Sequence, residues 1–133
     1  MILVDTSVMI GYLKGSEGKV FDTFDDIIYN EIPFGICPHI YQEVLQGAKD
    51  EKEYDVIKEH LGSLPVYELK SGVLSFEKAA YIFFLCRKKG ITIRSTIDTL
   101  IAQTAIENDL YLLHDDNDFF HIADVIRELK LYH

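Results

Sequence analysis

The chain contains no tryptophan, three prolines and two cysteines in 133 residues. Cys37 and Cys86 lie far apart and form no C-x-x-C pair, so neither a disulfide framework nor a zinc knuckle is indicated, and both read as buried thiols. No apolar run approaches the length of a bilayer span, and Met1 leads directly into an apolar stretch without a basic segment or cleavage-like site. The expectation is a soluble, cytoplasmic protein with no membrane role. Positive charge is also scarce: 13 Lys and Arg face 22 Asp and Glu, for a net charge of −9. That deficit argues against a general nucleic-acid coat, whose affinity comes from many phosphate neutralisations. It leaves room for an enzyme that gathers a few acids in one pocket, binds metal there and meets phosphate through that metal. Repeats, low-complexity tracts and linkers are likewise missing, and the length suits one domain spanning 1–133.

What is present is arranged around the first seven residues. Ile2-Leu3-Val4 is apolar without a polar alternate, which marks a strand buried on both faces of a parallel sheet, and the run stops on Asp5. At the carboxyl end of such a strand, where α/β sheets bind their ligands, an acid is well placed for chemistry. Thr6 and Ser7 are candidate caps for a helix through Val8, Met9, Tyr12 and Leu13 that Gly15 ends.

Further along, Val20 to Tyr29 repeats apolar residues at helical spacing, Phe34 to Cys37 forms a short strand, and Pro38 opens a helix carrying Ile40, Glu43, Val44 and Leu45. Asp50 to Gly62 alternates charge around Tyr54, Ile57 and Leu61, as a solvated helix does. Pro65 to Leu69 reads as an edge strand or connector, and Ser75 as the cap of an apolar helix running to Cys86. Ser95 followed by Asp98 opens the next helix with the pattern of a capping box. Leu110 to Leu113 is a third buried strand that breaks into His114-Asp115-Asp116-Asn117-Asp118; a helix over Phe119 to Leu129, with Asp118 as its candidate cap, and a terminal strand over Leu131 to His133 complete the chain. The alternation is that of a three-layer α/β domain with a central, mostly parallel sheet flanked by helices.

Asp5 and Asp116 end strands, while Glu43 and Asp98 lie in early turns of helices, so one rim of the sheet collects four acids. Unneutralised, they would raise one another's pKa; a hard divalent cation resolves the repulsion, and Mg²⁺ or Mn²⁺ suits an all-oxygen set. Singly, each acid has a plain structural role open to it: turn residue for Asp5, capping partner for Asp98, surface helix residue for Glu43, loop and cap for Asp115, Asp116 and Asp118. His114 reads as a strand-end ring with a satisfied hydrogen bond.

Ile2-Leu3-Val4-Asp5-Thr6-Ser7, Glu43 in a helix after a short strand, Ile93 to Ala102 with Asp98, and Leu112 to Phe119 together resemble the PIN-domain ribonucleases. The match runs in order over essentially the whole chain and looks most like the VapC toxins of toxin–antitoxin pairs. The resemblance implies a Mg²⁺-dependent endoribonuclease in which Asp5, Glu43, Asp98 and Asp116 form the catalytic and metal-binding quartet, with Asp118 as an auxiliary metal ligand. It further implies an RNA substrate cut in an exposed loop of tRNA or rRNA, a homodimer, and a cognate antitoxin that covers the acidic pocket. Arg94, next to the Ser95 cap, is the candidate RNA-binding residue; a rim salt bridge to a quartet acid competes with that role. Two other readings remain open, a receiver-like acidic α/β signalling domain and a PIN domain that binds metal without turnover. The first lacks the paired acids and late lysine that receivers carry.

Overall fold

The computed structural model describes residues 1–133, and in it the three apolar runs become neighbouring strands. Strands β1 (Ile2–Val4), β2 (Phe34–Gly35), β3 (Tyr111–Leu113) and β4 (Lys130–Leu131) form one sheet in the order β2-β1-β3-β4. Every pairing is parallel: Ile2 lies between Phe34 and Tyr111, Leu3 between Gly35 and Leu112. Central β1 is covered on both faces, with Leu3 and Val4 fully buried, which is why its sequence has no polar alternate. From β1 the chain builds β2 on one side and then crosses to β3 on the other. The point between β1 and β3 is thus the topological switch, and the crevice above it is where sheets of this kind bind ligands.

Seven helices complete the layers: α1 (Thr6–Leu13), α2 (Lys19–Tyr29), α3 (Pro38–Gln46), α4 (Glu51–Gly62), α5 (Val73–Lys88), α6 (Thr96–Glu107) and α7 (Asn117–Val125). Helix α1 packs on α2 and α3, and α3 on α4; α5 packs on α6 and α7. A cluster of 28 buried residues, among them Phe24, Ile40, Ile101, Leu112 and Phe119, runs through the sheet and both helical groups. At Gly11 a Cβ would meet the Phe21 ring at 2.5 Å, so the absent side chain is what lets α2 close on α1. None of the helices is long and apolar enough to cross a membrane.

The element ends differ from expectation in instructive ways. Helix α1 is capped by Asp5, not by Thr6 or Ser7: its extended backbone places the carboxylate on Ser7 N–H. Ser75 does not cap α5, which starts from Gly72 at φ 54°; the serine is buried within the first turn, its hydroxyl donating to Glu107 and accepting from Ser71 N–H. Asp116, not Asp118, caps α7. That helix ends at Val125, because Ile126 is extended, and the freed segment reaches β4 at Lys130. Around Pro65 to Leu69 the strand reduces to one parallel bridge between Val66 and Ile36. Tyr54 stands exposed while Ile57 and Leu61 are buried. Both cysteines are buried and free.

Candidate active site

The carboxyl ends of β1 and β3 and the amino ends of α3 and α6 meet above the switch point. Asp5, only 4% exposed, is held by Ser7, whose backbone N–H and hydroxyl donate to Oδ2 at 3.1 and 2.6 Å. The same Ser7 hydroxyl accepts from Asp115 N–H at 3.0 Å, which ties the loop after β3 to the start of α1. Glu43, one turn into α3, is oriented by the Thr6 hydroxyl at 2.8 Å. Sequence alone treated Thr6 and Ser7 as helix caps; their function here is to orient acids, and the sole sign of it was their position directly after Asp5.

Asp98 sits in the first turn of α6, where Ser95 caps Ile97 N–H. Its carboxylate does not reach back to complete a capping box, and it comes together with Asp116 and Asp118, oxygens of all three lying within 4.8 Å of one another. Burial, followed by the charges of Asp116, Asp5, Asp118 and Glu43, pushes the Asp98 carboxyl up to about 7. Burial likewise raises Asp5, against the lowering effect of its Ser7 hydrogen bonds. Four neighbouring acids therefore act on one half-buried group, and Arg94 is the permanently charged residue paired with them. Its Nε and backbone N–H each donate to Asp118 Oδ2 at 3.3 Å, and Nη2 reaches Asp116 Oδ1 at 3.4 Å. The hydrogen bond to Asp118, then the charges of both acids, raise the Arg94 guanidinium further.

His114 closes the floor of the rim. Buried against Phe119 and Phe120, it accepts Asp116 N–H at Nδ1, so one of its two ring nitrogens is satisfied within the protein. Burial lowers its pKa and keeps the ring neutral. Cys37, at the N-cap of α3, is fully buried, and burial followed by nearby acids drives its thiol up to about 11. With the Cys37 thiol protonated and His114 Nδ1 occupied, the donors left are carboxylate oxygens, with His121 Nδ1 at the edge, 3.9 Å from Asp118 Oδ1. A set dominated by carboxylate oxygens fits a hard divalent ion better than zinc or copper, which favour several imidazole or thiolate ligands.

The model of the family described as PIN domain matches residues 2–125. The chain belongs to the PIN domain family. Among its relatives, ribonuclease VapC11 of Mycobacterium tuberculosis is 30% identical over 126 residues, covering 94% of this chain and 93% of the relative. Solved structures share the fold at lower identity. The VapBC2 complex of Rickettsia felis, bound to a DNA fragment from its promoter, superposes with a TM-score of 0.75 at 18% identity over 99% of this chain and 98% of the other. VapBC-1 of nontypeable Haemophilus influenzae gives 0.71 at 22% identity over 99% and 97%. In this PIN domain the rim beyond β3 carries no lysine of the receiver type; Lys130 lies at the start of β4 and pairs with Asp109 at 2.6 Å.

Proposed function

We propose that this PIN domain is a metal-dependent endoribonuclease and the toxin half of a toxin–antitoxin pair. The observation that carries the reading is the convergence of Asp98, Asp116 and Asp118 within 4.8 Å above the switch point, beside Asp5 and Glu43, in a chain of this family. Asp5, Glu43, Asp98 and Asp116 would hold Mg²⁺ or Mn²⁺, with Asp118 assisting. Such a cation, when bound, supplies the Lewis acidity that phosphodiester hydrolysis needs. The chain's own residues supply the rest: Ser7 and Thr6 fix the directions of Asp5 and Glu43, Arg94 holds Asp116 and Asp118 apart from free rotation, and the same acids provide a proton acceptor at neutral pH. An exposed loop of tRNA or rRNA is the substrate class this reading favours, since an unpaired strand brings a single phosphate to buried and half-buried acids more readily than a duplex does. The toxin role draws on the VapC name of the relative and on neighbours that are VapBC complexes. A homodimer is supported by the uncovered Val73, Phe76, Tyr81 and Phe84 along α5.

The test is cleavage of structured RNA with Mg²⁺, with EDTA, and with Asp5→Asn, Glu43→Gln, Asp98→Asn and Asp116→Asn. Each amide is expected to abolish cleavage while leaving the fold intact. Full activity in two of the four would remove the quartet, and absence of cleavage in every sample would favour the reading of a PIN domain without turnover.

A further inference from the structure

Beside the acids, the start of α2, the end of β3 and the residues after β4 enclose a cavity of about 670 Å³ that has Asp116 in its wall. Its volume falls in the range of small-molecule sites, roughly 300–1,000 Å³. Three features of the lining point to an occupant. Phe120 leaves 51% of its surface uncovered, although an edge-on contact with the His114 ring, 4.6 Å between centroids, holds it in place. Because His114 Nδ1 accepts Asp116 N–H, the ring hydrogen resides on Nε2, which has no partner in the protein. Lys19 is the one Lys or Arg in the lining, is exposed, and takes part in no ion pair, whereas Arg94 is engaged by Asp116 and Asp118.

We propose that this cavity receives one unstacked nucleobase of a single-stranded RNA, adjacent to the phosphate at the acids, with the base on Phe120 and a neighbouring phosphate on Lys19. An aromatic face accepts any base, His114 Nε2–H and the Tyr132 hydroxyl offer polar contacts to its edge, and Lys19 supplies the cation that Arg94 does not have free. A basic peptide is the less favoured occupant: Glu17, Asp115 and Asp116 in the wall would attract it, but the unpaired Lys19 in the same wall would repel it, whereas that lysine complements a phosphate beside a base on Phe120. The inference rests on the ribonuclease reading and gives that reading a place for the flanking nucleotide.

Binding of a short fluorescein-labelled single-stranded RNA of mixed sequence, followed by anisotropy in EDTA, tests it without turnover. Phe120→Ala is expected to weaken binding by about tenfold, Phe120→Leu by a similar factor because it fills space without stacking, and Phe120→Tyr hardly at all. Replacing one base of the RNA by an abasic site should cost the wild type about the same tenfold at one position and cost Phe120→Ala nothing more there. Lys19→Ala should lower the slope of log affinity against log salt by about 0.7. If the folded Phe120→Ala and Lys19→Ala proteins bind like wild type, or no abasic position matters, the proposal is overturned. It is equally overturned if they keep RNA affinity and instead lose an antitoxin encoded beside the gene. Acid-dependent cleavage by the same preparations separates the two levels: with cleavage present, normal binding by the variants removes the cavity alone, and with neither cleavage nor binding both readings fall.

Discussion

Ser7 carries more of the site than its size suggests, because one hydroxyl donates to Asp5 and accepts from Asp115 across 108 residues of sequence. Ser7→Ala should therefore lower cleavage by at least tenfold and also lower the urea midpoint, by about 1–3 kcal/mol of stability, because a hydrogen bond to a buried carboxylate is among the stronger ones. A variant that cleaves normally would show that Asp5 needs no such support. Arg94 allows a sharper test, since it stands where a cation belongs. With Arg94→Ala the acids lose their resident counter-charge, so Mg²⁺ affinity measured by calorimetry should rise a few-fold, and the salt dependence of RNA binding should stay as it was. A flattened salt slope with unchanged Mg²⁺ affinity would instead assign Arg94 to RNA phosphate. The sequence left these two roles of Arg94 undecided because a side chain so long can reach several groups, and its partners come from a loop more than 20 residues away.

Strands and rim acids were legible because their signals are local and strong: an apolar run without alternation has few homes other than a parallel sheet, and an acid that ends it must lie at the rim. Helix caps were not. Where Asp5, Thr6 and Ser7, or Asp116 and Asp118, stand close together, the cap is whichever residue keeps extended backbone while the next turns helical, a choice made by tertiary packing. Ser75 shows the same limit from the other side. It looked like a cap, yet it belongs to a clamp in which Glu107 on α6 accepts from Lys70 N–H, the Ser75 hydroxyl and Gln103. Burial raises the Glu107 carboxyl, but those bonds together outweigh it and hold it below its ordinary 4.5. Its contribution is therefore present above that value and lost as pH falls through the lower, folded one. Glu107→Ala, which leaves the buried Ser75 hydroxyl without an acceptor, should cost about 1–3 kcal/mol by chemical denaturation, with the deficit shrinking in acid. The cavity beside the acids was invisible beforehand because α2, β3 and β4 each contribute only part of it.

Across the whole molecule the raised rim carboxyls of Asp5 and Asp98 set the sign of the pH dependence, against the lowered imidazole of His114, which acts in the opposite sense. A folded-state carboxyl raised to about 7, as at Asp98, binds its proton more tightly than the unfolded chain does. Stability from that group is complete below the ordinary carboxyl range and is lost as pH climbs toward 7. Metal-free protein should thus melt at a higher temperature near about pH 5 than near about pH 7.5, and Asp98→Asn should narrow the gap. Mg²⁺ should raise the midpoint more in the neutral buffer, because proton and cation compete for one carboxylate. Calorimetry in matched buffers reads all three; a metal-free midpoint that rises toward neutral pH in step with the Asp98→Asn variant would contradict them. The strand order has a consequence in time as well as in space. Central β1 is made first, but its β3 neighbour and the loop bearing Asp116 and Asp118 come more than a hundred residues later. During synthesis Asp5, Glu43 and Asp98 leave the ribosome with nothing to converge upon, and premature termination between Asp98 and Asp116 releases a fragment holding three rim acids and no centre.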